Sequence, residues 1–384
     1  IKSSKHQLRE DAVPNAQPID LIMDMKPTQQ ENIQNIASKT VHSTAFSIGS
    51  SATTLVVGFV RSVLLARLLT PEDFGVMALA LFFLNLIGRI HKFGFDEALT
   101  HRAIEHDTII STHFVLRLGL GVVLALIAIF AAPFLQRAYP DHPGLGQILT
   151  VLAILTIFRD MMATPQVLLA KDLEFQRLAL LDVLSSISAF VVAVPMALWG
   201  AGIWSLVGEI AAGVFVRFIG LWIYRRPCEM SLKYDWELIK WYFRFGRFNF
   251  LSANMNFVLD RFDDFWAGTA LGSVALGFYS KAYEFARYPR RVIANPVASV
   301  FFSTFAKLQD DRERLSKAFF RVCSLVIRAG FLFAGVFTLI VPEFIQLFLG
   351  DQWAPMAFTF RLMLVYTLFD PLLVLATKLT VAMG

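Results

Sequence analysis

Polar and charged residues recur at helical spacing inside a long apolar stretch near the start of the chain. Ser47, Ser51, Thr54, Gly58 and Arg61 follow one another at steps of three or four residues, so they share one face of a helix. An ionised side chain at the centre of a bilayer costs roughly 2.5–3.5 kcal/mol on insertion scales, so this face must avoid lipid. The stripe predicts a polar interior in which Arg61 contacts a substrate, unless Arg61 only extends toward the membrane surface or pairs with an acid.

The same spacing returns 202 residues later. The second stripe consists of Asn249, Ala253, Asn256, Asp260 and Asp263. Arg61 and Asp263 occupy equivalent positions under this shift, so both are expected to face one shared cavity. Asn256 is a predicted substrate contact. Asp260 and Asp263 suit ion coupling or gating by Na⁺ or H⁺, and they equally suit hydrogen bonding between helices.

A second pair of equivalent helices carries cationic stripes. The polar residues are Asn85, Arg89, Lys92 and Asp96 on the first helix and Glu284, Arg287 and Arg291 on its repeat mate. Arginine suits a diphosphate because its planar fork forms bidentate, charge-assisted hydrogen bonds. The cations of both stripes are predicted substrate contacts: Arg89, Lys92, Arg287 and Arg291. Arg287 could instead pair only with Glu284, one turn away.

Two prolines interrupt the later of these helices. Pro289 and Pro296 lack the backbone N–H that a helix interior needs, so the sequence predicts a kink there. A kinked helix with a charged face is suited to open and close a cavity. Glu284 and Pro289 are therefore predicted to act in coupling or gating.

Other charges lie singly in apolar segments, and we interpret them as structural. They are Arg117, Arg159, Asp160, Asp182, Glu209, Arg217, Arg328 and Asp370. His91, Asp96 and Glu97 approach the end of their helix, where solvation is a simpler explanation than function.

The composition requires a membrane to position these stripes. Of 384 residues, 56% are hydrophobic and 17% are charged, and the mean hydropathy is +0.57. A soluble domain cannot bury this much apolar surface, and a barrel would show short alternating strands. The sequence predicts an all-α polytopic membrane protein with about ten spanning helices. They are 41–69, 75–98, 108–135, 146–170, 174–199, 201–224, 241–268, 273–304, 315–341 and 354–381.

Basic residues gather in alternate connecting segments, which places the N-terminus in the cytoplasm. The net charge of +5 therefore reflects membrane topology, and no nucleic-acid partner is expected. Four parts are predicted: a polar cytoplasmic tail, a six-helix lobe, a basic amphipathic linker and a second lobe with four helices. Their ranges are 1–39, 40–224, 225–240 and 241–384. The lobes read as parallel repeats of six helices, so the second is expected to be incomplete at Gly384.

Two stretches resemble bacterial polysaccharide-export flippases. The first runs from Ala66 to Gly75 and includes Thr70-Pro71-Glu72-Asp73. The second runs from Asp263 to Arg314 and includes Leu276-Gly277-Phe278-Tyr279 and Phe305-Ala306-Lys307-Leu308. Together they are similar to the Wzx-type branch of the multidrug/oligosaccharidyl-lipid/polysaccharide exporter superfamily, especially its colanic-acid and exopolysaccharide exporters. The resemblance covers about residues 41–384; Ser303 departs from the family, where Pro is common.

The resemblance implies a V-shaped pair of six-helix bundles around a central cationic cavity. The implied function is a flippase that exports undecaprenyl-diphosphate-linked oligosaccharide repeat units across the bacterial inner membrane by alternating access, for exopolysaccharide or lipopolysaccharide assembly. The basic residues would hold the diphosphate, and an Na⁺ or H⁺ gradient would reset the cycle. Membrane lipids, a polysaccharide polymerase and chain-length proteins are the expected partners.

Two other functions are weighed against this one. A cation-coupled multidrug or metabolite exporter of the same superfamily would favour an acidic, aromatic cavity, whereas Arg and Lys outnumber acids on the cationic stripes. A membrane enzyme such as a glycan polymerase would need a catalytic carboxylate or histidine constellation in a large outer loop, and the connecting segments are short. No motif for a metal, nucleotide, cofactor or nucleophile occurs, so no enzymatic activity and no cofactor are expected.

Overall fold

The structure, a computed structural model, describes residues 27–101, 107–224, 232–295, 297, 301, 308 and 311–382. In the first half of the chain the helices are α1 (Pro27–Leu68), α2 (Pro71–Ile87), α3 (Phe95–His101), α4 (Asp107–Ala138), α5 (Leu145–Lys171), α6 (Phe175–Leu198) and α7 (Trp204–Tyr224). A 3₁₀ segment, Gly88–Phe93, joins α2 to α3.

In the second half the helices are α8 (Trp236–Ala270), α9 (Gly272–Ala286), α10 (Arg312–Phe344) and α11 (Ala357–Ala382). Shorter turns lie between them: the π turns Arg290–Ala294 and Ile345–Leu349 and the 3₁₀ turn Asp351–Met356. Ten of the helices in the described ranges have 15 residues or more, and these ranges contain no strand. The predicted fold class is confirmed.

Several helices are suited to cross a bilayer. By length and composition, seven segments of the described ranges qualify: Gly49–Leu68, Pro71–Thr100, Asp107–Ala138, Leu145–Lys171, Phe175–Leu198, Trp204–Tyr224 and Arg312–Leu349. Large apolar side chains also cover the outer surface; Phe130 is 71% exposed and Leu339 is 75% exposed. An apolar surface of this extent needs lipid around it. The chain is a multi-pass membrane protein.

A capping box fixes the short turn from α1 into α2. The Thr70 hydroxyl accepts a hydrogen bond from the backbone N–H of Asp73 at 3.3 Å, and the Asp73 carboxylate accepts one from the backbone N–H of Thr70 at 2.9 Å. Pro71 occupies the first helical position, where a missing N–H leaves no hydrogen bond unmade. The turn therefore places the end of α1 and the start of α2 side by side at one end of the bundle.

The two halves of the chain meet where α2 packs against α9. A methyl group added at Gly75 would lie 2.6 Å from the carbonyl carbon of Ser273, and one added at Gly277 would lie 2.6 Å from that of Pro71. Each glycine and its contact are exchanged by the shift of 202 residues found in the sequence. A pseudo-two-fold axis therefore exchanges the Gly75–Ser273 contact with the Gly277–Pro71 contact. This confirms two parallel repeats in the predicted register.

A buried tryptophan closes the same end of the bundle. Trp353, in the turn Asp351–Met356, is fully buried, and its indole Nε1 donates a hydrogen bond to the Ala66 carbonyl oxygen at 2.7 Å. The rings of Phe74 and Phe278 pack on the indole at centroid distances of 5.5 and 5.8 Å. Residues from both repeats thus seal this end.

At the opposite end, the first half of α8 packs on the first repeat. Tyr242 is fully buried with Phe95 in one apolar cluster, and Phe93 stacks on Phe250 at 4.2 Å. A methyl group at Gly246 would lie 2.5 Å from the carbonyl carbon of Phe93, so the backbones are in direct contact there. Helix α8 therefore ties the second repeat to the 3₁₀ segment between α2 and α3.

The first helix is longer than the sequence predicts. Because α1 begins at Pro27, residues 27–39 continue the first helix, although they were assigned to the polar tail. Residues 1–26 lie outside the described residues. The boundaries between the predicted lobes and the linker 225–240 stay predictions.

The predicted interruption near Pro289 is confirmed. Helix α9 ends at Ala286, and after Pro289 the chain continues as the π turn Arg290–Ala294. Pro296 is not among the described residues. A helix that changes its hydrogen-bonding pattern at a proline provides a local point of bending beside Arg291.

Candidate functional site

A cavity of about 1740 Å³ lies between the helices of the first repeat, away from the end closed by Trp353. The second repeat completes its wall with the π turn that carries Arg291. The charged lining residues are six arginines and four carboxylates: Arg61, Arg89, Arg117, Arg159, Arg217, Arg291, Asp96, Asp160, Asp182 and Glu209. Among the described residues, the wall therefore has two more positive than negative charges, which favours an anionic occupant.

A second cavity of about 400 Å³ adjoins the first between the two repeats. Both cavities share lining residues, including Arg61, Asn85, Glu209 and Arg291. The second repeat contributes Phe257, Arg261, Asp264, Lys281, Glu284 and Arg287 to the smaller cavity. The structure thus brings five predicted site residues around one connected polar space: Arg61, Arg89, Glu284, Arg287 and Arg291.

Arg61 pairs with an acid inside the first repeat. Its Nη2 lies 2.8 Å from Oε1 of Glu209 on α7, and its Nη1 donates a hydrogen bond to the Ser186 carbonyl oxygen on α6 at 3.3 Å. This pairing is the alternative to substrate contact that the sequence leaves open. Because the carboxylate compensates its charge, Arg61 mainly holds α1 against α6 and α7 and is a weaker anion ligand than an unpaired arginine.

Arg89 and Arg291 are repeat mates, and both line the large cavity. Arg89 Nε donates a hydrogen bond to Asn254 Oδ1 at 3.2 Å, and its guanidinium lies 4.5 Å from the centre of the Phe257 ring. Arg291 is exposed to the cavity and lies 5.5 Å from the ring centre of Tyr288. These neutral partners orient both guanidinium groups and leave each without a carboxylate in direct contact among the described residues.

Arg159 is a third cation of this kind, although the sequence analysis interpreted it as structural. It is exposed on α5 and lines the large cavity. Within the described residues, none of Arg89, Arg159 and Arg291 has a carboxylate oxygen within 4.0 Å. The sequence contains a pattern that predicts this position for Arg159. Thr156, Arg159 and Gln166 share one face of α5, and all three line the cavity.

Glu284 pairs with a lysine that the sequence analysis did not select. Lys281 Nζ lies 2.7 Å from Glu284 Oε2 and 2.9 Å from the Ser62 hydroxyl of α1. Lys281 is 5% exposed and lies 4.1 Å from the ring centre of Phe74. Arg287 instead stacks on its neighbour Tyr283, so the proposed Glu284–Arg287 pair is not formed. The Lys281 pair joins the repeats.

The acidic stripe of α8 is placed differently from the prediction. Asp263 lines neither cavity; it accepts a hydrogen bond from the Tyr279 hydroxyl. The next residue, Asp264, is buried, lines the smaller cavity and pairs with Arg261 at 2.8 Å. Arg61 and Asp263 therefore do not face one cavity together, because Asp264, one position further along α8, takes the place facing the cavity.

Three further predicted residues do not join the described cavity walls. Asn256 is exposed and lines neither cavity. The side chains of Lys92 and Asp260 lie outside the described residues. Pro289 is buried at the start of the π turn, as a gating element requires, but it offers no polar group to a substrate.

Residues interpreted as isolated or solvated charges form one cluster beside the large cavity. His91 Nε2 lies 3.5 Å from Asp160 Oδ2, and Arg117 Nη2 lies 3.1 Å from Asp160 Oδ1. Asp96 Oδ1 lies 3.6 Å from Arg117 Nε and 3.3 Å from His113 Nε2. His113 is fully buried. The 3₁₀ segment, α3, α4 and α5 thus each supply a member of one polar cluster.

Curated relatives of this chain take part in polysaccharide synthesis. It is 31% identical over 327 residues to the succinoglycan biosynthesis transport protein ExoT of Rhizobium meliloti, covering 83% of this chain and 64% of that protein. It is 22% identical over 320 residues to the lipopolysaccharide biosynthesis protein WzxC of Escherichia coli, covering 83% and 65%. The chain therefore spans less than two thirds of the length of these relatives.

Solved structures share the fold. A lipid II flippase MurJ in an inward closed conformation aligns with a TM-score of 0.71 at 13% identity, covering 89% of this chain and 76% of that one. An inward-facing multidrug resistance MATE family transporter of the MOP superfamily aligns at 0.56 and 17% identity, covering 88% and 83%. At these identities the likeness establishes the architecture of two helical repeats around a central cavity.

The family assignment rests on a match to a family profile that covers more than half of the chain. A family profile described as polysaccharide biosynthesis protein matches residues 64–358, which include both stretches whose resemblance was noted in the sequence. The WzxC similarity agrees with that resemblance. The chain belongs to the polysaccharide biosynthesis protein family.

Proposed function

We propose that this protein is a flippase that moves lipid-linked oligosaccharides with a diphosphate linkage across the membrane. The observation that carries the proposal is the large cavity with three arginines, Arg89, Arg159 and Arg291, none of which forms an ion pair within 4.0 Å with a carboxylate of the described residues. The volume of about 1740 Å³ exceeds the roughly 300–1,000 Å³ typical of sites for drug-sized ligands. Space of this size suits several sugar rings.

The three arginines suit a diphosphate because they approach from different elements. Arg89 lies on the 3₁₀ segment, Arg159 on α5 and Arg291 on the π turn of the second repeat. Guanidinium groups bind phosphate oxygens with paired, charge-assisted hydrogen bonds. A diphosphate held by both repeats would resist their separation until the substrate leaves, as alternating access requires.

The cavity composition argues against an exporter of organic cations. Such a cavity would be expected to have a negative wall, whereas this wall carries an excess of arginine. The curated relatives are named as transport and biosynthesis proteins of polysaccharides, which supports transport of a glycan intermediate over glycan polymerisation.

The cellular setting follows from the same proposal. We place the chain in the bacterial inner membrane with a cytoplasmic N-terminus, and its cavity open toward the cytoplasm. Substrate would then enter from the side on which lipid-linked units are made. A polysaccharide polymerase and chain-length proteins would act on the exported unit, and an Na⁺ or H⁺ gradient would supply the driving force.

Reconstitution tests this function directly. Lipid-linked oligosaccharide extracted from cells that lack the gene is incorporated into proteoliposomes with the purified protein, and the fraction accessible to an external glycosidase is followed. The protein is expected to expose the inner-leaflet glycan, and empty liposomes serve as the control. Transport of ethidium without any movement of the glycan lipid would instead identify a cation exporter.

A further inference from the structure

The cluster of His91, Asp96, His113, Arg117 and Asp160 has an unbalanced charge. With neutral histidines, two carboxylates contact one guanidinium, so these five residues carry one excess negative charge, which Arg159 offsets in part from a greater distance; Asp160 is buried and Asp96 is partly exposed. Burial of a net charge in a medium of low dielectric is costly, and uptake of a single proton removes this cost. The cluster has four nitrogen–oxygen contacts, two of which become charge pairs only when a histidine is protonated, and three of the four, at 3.3–3.6 Å, exceed the usual hydrogen-bond range of about 2.7–3.2 Å. The cluster can therefore tighten when a proton is added.

We propose that this cluster is a proton-binding site, with the proton held between His91 Nε2 and Asp160 Oδ2. Both residues line the large cavity, although His91 Nε2 and Asp160 Oδ2 are themselves buried, so a proton would reach this pair from the cavity side through the partly exposed imidazole of His91. His113 is sealed behind them and bonded through Nδ1 to the Thr164 hydroxyl at 2.9 Å, so it positions Asp96 and does not exchange protons with the cavity. Arg117 lies between the carboxylates and would repel a metal cation, so the site favours a proton over Na⁺.

The fold makes room for this carboxylate. A methyl group at Gly121, one helical turn after Arg117 on α4, would lie 2.9 Å from the Asp160 carboxyl carbon. Only a residue without a side chain fits there. The close approach holds Asp160 against α4, where Arg117 reaches one of its oxygens and His91 the other. Asp160 thus occupies a shaped site and is not a stray charge in an apolar helix.

A proton at this site acts on the contact between the repeats. His91 and Arg89 lie two residues apart on the 3₁₀ segment Gly88–Phe93, and Gly94 ends that segment with φ of 74°. The same segment contacts α8 through Arg89 to Asn254 and through Phe93 to Gly246. A 3₁₀ segment inside a longer helical span commonly marks a hinge. Protonation of His91 would pull this segment toward Asp160 and so change both the substrate cation and the α8 contact.

Three further charged or titratable groups among the described residues bear on this cluster and its control. Arg159 precedes Asp160 on α5, Tyr242 of α8 lies 5.7 Å from the His113 ring, and Asp182 pairs with Arg217 elsewhere on the cavity wall. The Asp182 pair has balanced charge, so it offers a carboxylate of the same cavity that should not take up the proton. It is the matched control.

The first test needs no substrate. Hydrogen exchange of residues 88–94 is measured by mass spectrometry in phosphatidylethanolamine/phosphatidylglycerol nanodiscs between about pH 5 and about pH 8, the range in which histidine changes charge, after correction for intrinsic rates. We expect the protection of this segment against exchange to change about 5-fold or more over this pH range, along the titration curve of a single proton. A change of about 5-fold lies at the lower end of usual coupling strengths. His91→Gln and Asp160→Asn should abolish the transition, Asp160→Glu should shift its midpoint, and Asp182→Asn should retain it.

Two results of this test would overturn the site: a flat profile in the unmodified protein, or an unchanged transition in both His91→Gln and Asp160→Asn. Gly121→Ala, which alters no charge, should also shift the midpoint. If a variant fails to fold, its far-ultraviolet circular dichroism shows this, and Asp160→Glu and Gly121→Ala still decide the question.

A second test addresses coupling and rests on the proposed function. Flipping of the extracted lipid-linked oligosaccharide is compared with a pH gradient, with an Na⁺ gradient and with neither, at clamped membrane potential. Stimulation by the pH gradient is expected to be lost in Asp160→Asn and kept in Glu313→Gln, an exposed carboxylate that pairs with Lys317 and lines neither cavity. Stimulation by Na⁺ alone would overturn the coupling. No flipping under any condition would contradict the proposed function and leave the exchange result to decide the proton site.

Discussion

Gly75 of α2 lies directly against the Ser273 carbonyl of α9, and its repeat mate Gly277 lies in the same way against Pro71. This double contact joins the repeats at the end opposite the large cavity. Since neither glycine can gain a side chain without moving a backbone, the contact fixes how closely the repeats approach.

Enlarging either glycine should weaken the closed end. Gly75→Ala and Gly277→Ala are each expected to cost about 1–3 kcal/mol, as overpacking usually does, and to lower the thermal unfolding midpoint in detergent. Gly119→Ala is the control, because no atom lies within 4 Å of a methyl group there. That substitution should leave the midpoint unchanged or raise it, since alanine favours a helix by about 1 kcal/mol over glycine. Equal midpoints for the three variants would contradict the tight contact.

The unpaired arginines should control export. Arg89→Ala, Arg159→Ala and Arg291→Ala each remove charge-assisted hydrogen bonds worth about 1.5–3 kcal/mol, so export of extracellular polysaccharide should fall about 10- to 150-fold while membrane insertion is kept. Arg→Lys variants should recover part of the loss, because they keep the charge without the planar fork. Arg314→Ala, at a site 78% exposed and paired with Asp311, should export normally. Full export in all three cavity variants would rule out the cationic mechanism.

The Lys281–Glu284 pair should behave as a buried link between the repeats. Lys281→Met leaves a carboxylate that is only one third exposed without its main partner, so a loss of up to about 3 kcal/mol in stability is expected. Lys281→Met with Glu284→Gln should restore part of this loss, because the unpaired charge is gone. The four thermal midpoints of the double-mutant cycle measure the coupling. A cycle with additive effects would show that the contact contributes nothing.

His142, in the turn between α4 and α5, should make stability depend on pH. Burial lowers the pKa of His142 below its ordinary value of 6.5, while Asp141 and Glu72 act more weakly in the other direction. The folded protein therefore prefers neutral His142: this stability is complete above the unfolded pKa and is lost as pH falls toward the lowered folded pKa. His142→Phe should reduce the drop in thermal midpoint between about pH 7.5 and about pH 5.5. Tyr139→Phe, which alters its ring neighbour, should keep the full drop.

Periodicity and internal repetition predict the fold well because both are properties of the backbone. The shift of 202 residues anticipates the paired contacts of Gly75 and Gly277, and it identifies Arg89 and Arg291 as equivalent cavity residues. Pro289 predicts the break after α9, because a missing backbone N–H disturbs any helix. Each of these features can be predicted either from the residues next to it or from the shift of 202 residues between the repeats.

Side-chain partners are harder to predict because they depend on helix rotation and on distant segments. Asp263 and Asp264 differ by one position, or about 100° around a helix, and only the second lines a cavity. Arg117 and Asp160 are 43 residues apart on different helices, so nothing in either segment reveals their pairing. A single charged residue in an apolar helix is therefore as strong a candidate for a functional site as a row of polar residues along one helix face.

The reciprocal glycine contact also bears on the origin of the chain. In a chain of one repeat, the surface around Gly75 and Pro71 would be self-complementary: the glycine of one copy fits the carbonyl of the other, and the reverse. Two half-length chains would thus associate as a homodimer with true two-fold symmetry. Duplication and fusion of such a gene would need to add only a connecting segment, and afterwards each copy could acquire its own charges, as Arg61 and Asp263 now show.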